Sequence, residues 1–191
     1  NLAGTMQSAF VAFSQEDYVA VFWAKEETTS YGFSLKTGQY MWATEPQNYA
    51  DAWTDSPADE KNIAYGKLYS VGLAGIMYAY NLQTGNTDWT YTLKDPYTEP
   101  VTGENWWGWI DVIADGKIYI GTLEHSANSP MPRGAPYACV NATDGSEIFR
   151  INGLMRETRW GGNPVMGDSI IAGYDTYDGR IYAMGKGPSA V

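Results

Sequence analysis

A short strand–turn–strand phrase returns four times along the chain, and a fixed period built from strands admits few architectures. In register the copies read Glu16-Asp17-Tyr18-Val19-Ala20-Val21, Tyr65-Gly66-Lys67-Leu68-Tyr69-Ser70, Asp115-Gly116-Lys117-Ile118-Tyr119-Ile120 and Gly167-Asp168-Ser169-Ile170-Ile171-Ala172. Asp17, Gly66, Gly116 and Asp168 align, about 50 residues apart. A period of this size predicts a propeller or a β-solenoid, in which each unit buries its face on the next.

Within each unit, short alternating strands are separated by turn residues, the pattern of an antiparallel meander. The first unit reads as Ala9 to Phe13, Tyr18 to Ala24, Ser30 to Leu35 and Gln39 to Thr44, with a turn at Lys36-Thr37-Gly38. The second and third repeat it, with turns at Tyr65-Gly66 and Gln83-Thr84-Gly85, and the third carries a longer loop from Glu124 to Gly134. The fourth stops after Arg180 to Met184 without an outer strand. Trp42, Trp89 and Phe149 close the fourth strands of the first three units, where packing between neighbouring blades is expected. The expectation is one all-β domain or segment over 1–191, a β-propeller of about four four-stranded antiparallel blades at roughly 8–44, 61–93, 107–152 and 162–186. Either Leu2 to Met6 supply the missing strand and close the ring, or the blades are half of a larger propeller of about eight, completed by further sequence or by self-association.

Composition narrows the partners. Against 22 carboxylates stand 12 Lys and Arg, a formal net charge of -10, which disfavours nucleic acid and anionic membranes. No run of about 18 apolar residues is present to insert into a membrane. Cys139 is alone, so an intrachain disulfide and a cysteine-based metal cluster are excluded. The chain starts Asn1-Leu2-Ala3-Gly4, which reads as a mature or excised segment whose targeting signal lies elsewhere.

The string Gly-Lys-(Leu/Ile)-Tyr, followed by Tyr78-Ala79-Tyr80-Asn81-Leu82-Gln83-Thr84-Gly85-Asn86-Thr87-Asp88-Trp89, resembles the pyrroloquinoline-quinone (PQQ)-type propeller repeat. The resemblance covers nearly the whole chain and is strongest in the second unit. The ending from Ile181 to Ala190 and the loop Glu124-His125-Ser126 are similar to the C-terminal half of archaeal surface proteins that carry such propellers. That implies a non-catalytic binding or scaffold module, extracellular and at the cell surface, with a protein or glycan partner and no cofactor. The alternative implied by the same repeat is a quinoprotein oxidoreductase holding PQQ and calcium. The family's quinone site uses vicinal cysteines, and this chain lacks the pair. A third reading is a glycan-binding module, favoured by the tryptophans.

No catalytic residues stand out. The candidate ligand-binding residues are Trp53, Trp106, Trp107 and Trp160, flat rings at comparable places before successive units, with Glu124, His125 and Arg133 from the long third-unit loop. Indole faces would supply apolar contact, and Arg133 and Glu124 would fix orientation. Packing between blades explains the tryptophans as well. Asn141-Ala142-Thr143 is a glycosylation sequon, with Asn141 the acceptor.

Overall fold

The computed structural model describes residues 8–48, 61–99, 103–123, 134–153, 164–175 and 178–185. The first sheet runs β1 (Ser8–Ser14), β2 (Val19–Ala24), β3 (Thr29–Ser34) and β4 (Tyr40–Ala43), neighbours in chain order and antiparallel. The second repeats the order with β5 (Lys61–Ala64), β6 (Lys67–Ser70), β7 (Ile76–Asn81) and β8 (Thr87–Thr92). A two-stranded hairpin, β9 (Lys94–Glu99) and β10 (Gly103–Asn105), precedes the third sheet. That sheet is β11 (Trp107–Ala114), β12 (Lys117–Leu123), β13 (Pro136–Asn141) and β14 (Glu147–Asn152). The fourth has three strands, β15 (Val165–Gly167), β16 (Ile170–Asp175) and β17 (Arg180–Gly185). This is an all-β, propeller-type array of meander blades.

Turn chemistry sets the register. Two-residue hairpins need positive φ at both central positions, which matches the right-handed twist of the flanking strands. Tyr65-Gly66, Asp115-Gly116 and Asp168-Ser169 all have it. Ser169, at φ 62°, is therefore the equivalent of Gly66 and Gly116, one residue later than the sequence alignment places the match. In the first blade the corresponding residue is Tyr18, at φ 57°, again one residue later. The pairs Val19–Ser34, Lys67–Asn81, Lys117–Asn141 and Ile170–Gly185 then superpose.

The outer turns repeat bond for bond. The amides of Leu35, Leu82 and Ala142 donate to the carbonyls of Tyr18, Gly66 and Gly116 at 2.8, 3.0 and 2.9 Å. Gly38, Gly85 and Gly145 donate to Ser34, Asn81 and Asn141.

Apolar alternation gives every blade two greasy faces, and the core is the set of joints between blades. Val11, Val19, Val21, Trp23 and Trp42 of the first blade meet Leu68, Tyr80 and Leu82 of the second. Tyr69, Met77, Ala79 and Trp89 meet Ile110, Ile118, Val140 and Ala142 of the third. Tyr119, Tyr137, Cys139 and Phe149 meet Ile171, Met166 and Met184 of the fourth.

Each joint has a direction. The Trp42 indole N–H donates to the Leu82 carbonyl at 2.7 Å, and Trp89 donates to Ala142 at 3.3 Å. A Cβ on Gly85 or Gly145 would stand 2.9 or 2.5 Å from those rings, so glycine is required there by close approach as well as by φ. One face of a blade thus seats on the next, and the opposite face receives the one before.

Trp42→Phe keeps apolar bulk but leaves the buried Leu82 carbonyl without its donor, and should cost about 1–3 kcal/mol in chemical denaturation. Trp42→Ala should cost about 3–5 kcal/mol. Losses near zero for both would show that the indole does not hold the joint.

Candidate functional site

The sequence candidates divide. Trp53, Trp160, Glu124, His125 and Arg133 lie outside the described residues. Trp106 is 4% exposed and belongs to the core between the second and third blades. Its amide donates to the Leu93 carbonyl at 2.7 Å, and Asn105 Nδ2 donates to Ala74 at 2.9 Å. Trp107 is buried beside it at the start of β11. The chain crosses here from one blade to the next, and these two indoles are enclosed rather than offered to solvent. Asn141 ends β13, and its Oδ1 accepts the Thr143 amide at 2.8 Å, as Asn81 Oδ1 accepts Gln83 at 3.0 Å. Both asparagines shape the outer turn.

Two polar groups that sequence reasoning missed sit inside the joints. Lys61, buried at the start of β5, donates from Nζ to Ser70 Oγ at 2.9 Å and lies 3.8 Å from the Trp23 ring centroid. A cation over an indole and bonded to a hydroxyl recovers part of its lost hydration. A lysine opening a strand ordinarily reads as a solvated end, so the sequence carries no signal for this burial. Asp111 is the extra residue of a bulge in β11, where the register to β12 shifts between Ile110 and Val112. Burial first, and then the Asp111 charge, push the Tyr137 phenol far above its ordinary range.

Cys139 faces the third joint and is fully buried, and burial pushes its thiol up to about 11. It is a small core hydrophobe, disfavoured as a thiolate nucleophile or metal ligand. Among the described residues no group of three or more His, Cys, Asp and Glu converges to hold a metal ion.

Most of the exposed large hydrophobic side chains among the described residues lie on the first and fourth blades; Tyr65 and Ile148 are exposed on the second and third. On the receiving face of the first blade, Phe10, Phe13 and Tyr40 are 52%, 59% and 58% exposed. They belong to one aromatic ladder across the sheet. Phe10 meets Phe22 at 5.6 Å edge-on, Phe22 meets Phe33 at 5.6 Å, and Phe33 meets Tyr40 at 6.0 Å. Phe13 flanks Phe10 at 6.4 Å. Edge-to-face rings at these spacings stabilise one another and hold the face in a fixed shape. At its rim, Lys36 Nζ sits 3.7 Å from the Tyr18 ring, and the Tyr31 phenol donates to Glu27, which raises it to about 12. At the far end, Val165, Ile170, Tyr174 and Ile181 project from the open face of the fourth blade. Contiguous apolar surfaces of this kind mark interaction sites.

No protein-family model matches the chain, and no curated protein matches it. Among solved structures, the computationally designed Ika4 protein matches with a TM-score of 0.58 at 15% identity, over 95% of this chain and 93% of that one. Quinohemoprotein alcohol dehydrogenase ADHIIG from Pseudomonas putida HK5 gives 0.54 at 15% identity, over 90% of this chain and 33% of that one. A europium-containing methanol dehydrogenase gives 0.50 at 13% identity, over 78% and 26%. The likeness establishes the β-propeller fold. This chain spans about a third or less of the two dehydrogenases.

Two solution outcomes follow from the buried groups. The Tyr69, Tyr80, Tyr91 and Tyr137 phenols are all pushed up, by burial first. The unfolded chain ionises first, near pH 10, so the stability these phenols give is intact below about pH 10 and is lost as pH rises toward their folded values. Cooperative unfolding with a step in phenolate absorbance is expected above about pH 10; smooth titration of every tyrosine in a folded chain would contradict it. Cys139 should react slowly with thiol reagents at neutral pH and fully in denaturant, whereas prompt labelling of the native chain would show that the third joint is open.

Proposed function

We propose that this chain is a non-catalytic binding or scaffold module of an extracellular protein, of the kind borne by archaeal-type cell-surface proteins. The observation that carries the reading is the exposed aromatic ladder on the first blade, an apolar face of fixed shape that the other described residues leave open. A surface rich in such rings favours a protein partner, since aromatic side chains contribute most to interface energetics. The acidic balance of the chain supports a protein partner over nucleic acid. The buried setting of Trp106 and Trp107 weighs against the glycan-binding alternative, which needs open indole faces.

The quinoprotein alternative has fold likeness in its favour, and fold alone does not carry function. The chemistry of the donor set weighs against it. Its single cysteine is sealed in a blade joint with a raised pKa.

Incubation with PQQ and Ca²⁺, followed by desalting and a dye-linked alcohol or sugar oxidation assay, separates the two. The expected result is no retained quinone absorbance and no turnover. Stoichiometric quinone retained with catalytic dye reduction would establish the oxidoreductase instead.

A further inference from the structure

The two open ends of the array are the two halves of one joint, and the repeated outer turn makes this visible. Leu35, Leu82 and Ala142 occupy equivalent positions with the same backbone hydrogen bond. Leu82 and Ala142 are 0% and 2% exposed because Trp42 and Trp89 of the preceding blades lie over them, whereas Leu35 is 46% exposed. A Cβ on Gly38 would meet nothing within 4 Å, where Gly85 and Gly145 are pressed by an indole. Phe33 pairs with Ala20 as Tyr80 pairs with Leu68 and Val140 with Ile118, and both of those later pairs lie in joints. The first blade therefore carries a complete receiving face that no other described residue covers.

The fourth blade carries the complement. Ile171, Met166 and Met184 receive the third blade, while the alternate residues Val165, Ile170, Tyr174 and Ile181 form a seating face. Ala183, also exposed there, is the counterpart of Ala79, and Ile181 of Met77; both counterparts are fully buried in the second joint. Ile181 itself is 75% exposed. Neither face presents a charged side chain among the residues named.

We infer that the open receiving face of the first blade is covered by the fourth blade of a second copy of this chain, reciprocally, so that two copies close one ring of eight blades. The inference rests on the binding-module reading and names its partner. Three observations carry it. The free faces have the same direction as the three joints already formed, so docking continues an existing interface rather than inventing one. Their chemistry is complementary, an aromatic ladder against aliphatic side chains, with no buried charge to compensate. The count also closes. A head-to-tail contact either forms a ring or runs on as a filament, propellers hold about four to eight blades, and since the end faces of one copy stay exposed, a pair makes about eight while a third copy would exceed that range. With a net charge of -10 on each copy, added salt should strengthen association by screening repulsion around an uncharged joint.

The test is solution mass by light scattering and sedimentation on the 191-residue chain, with two exposed-position variants. The wild type should have the mass of two chains. Phe13→Glu and Ile181→Glu should each fall to half that mass with unchanged circular dichroism, since both side chains already face solvent in the folded chain. Mixed together, the two variants should regain a two-chain species. Phe13→Glu keeps a sound fourth blade and Ile181→Glu a sound first blade, so one joint of the two can form, and the mixed pair should dissociate more readily than the wild type. A wild type that stays monomeric at high concentration overturns the inference. So does a dimer that either variant leaves intact; persistence in Ile181→Glu alone would mean that first blades pair with each other. A monomer that neither retains PQQ nor turns over defeats the dimer and leaves the binding module standing, whereas quinone turnover defeats the binding module whatever the mass.

Discussion

A meander of four short strands cannot bury both of its faces by itself, and in this chain the burial is supplied by the next blade in line. The first two joints share one form. Apolar side chains from alternate positions of one sheet lie on the alternate positions of the next, and an outer-strand indole reaches across to a turn carbonyl. Because the indole N–H and the carbonyl satisfy each other, the joint buries two polar groups without leaving either unpaired, and it fixes the angle as well as the contact. The glycines at Gly85 and Gly145 follow from it, as does the direction of the array. An unclosed array of directional joints must end in one receiving face and one seating face.

That constraint organises the functional evidence. The interior of the array is occupied by packing, including Trp106, Trp107, Cys139 and the enclosed Lys61, so these groups are spent on the fold. What remains accessible among the described apolar groups is concentrated at the ends, above all the ring ladder from Phe10 to Tyr40. Among the described residues no group of three or more acidic, histidine and cysteine side chains converges to hold a metal ion.

Much of the architecture was legible in the sequence because its signals are local and repeated. Period-two alternation, positive-φ turn residues and a closing aromatic each recur, so errors at one copy are corrected by the others. The one-residue slips at Asp17 and Asp168 arose where the turn lacks its glycine, since Tyr18 and Ser169 adopt the left-handed conformation that the alignment reserves for Gly66 and Gly116. The hairpin of β9 and β10 was not read because Pro96 and the polar residues around it argue against a strand. The tryptophan cluster was ambiguous for a deeper reason. Trp106 and Trp107 have the residue type of a ligand platform and of a core equally, and only the crossing strand that carries them between blades decides. Nor does alternation distinguish a covered face from an open one, so the exposure of Phe13 and Ile181 was invisible until the array had ends.

Whether a neighbouring blade rather than local hydrogen bonding protects the outer turns can be read from amide hydrogen exchange at Leu35, Leu82 and Ala142 in dilute, dissociated chain. The three amides make the same backbone bond at nearly the same length, and they differ in whether an indole from a preceding blade lies above. Leu35 should exchange through local opening at least about tenfold faster than the other two, which should open only with their joints. Equal protection at all three positions would contradict this expectation.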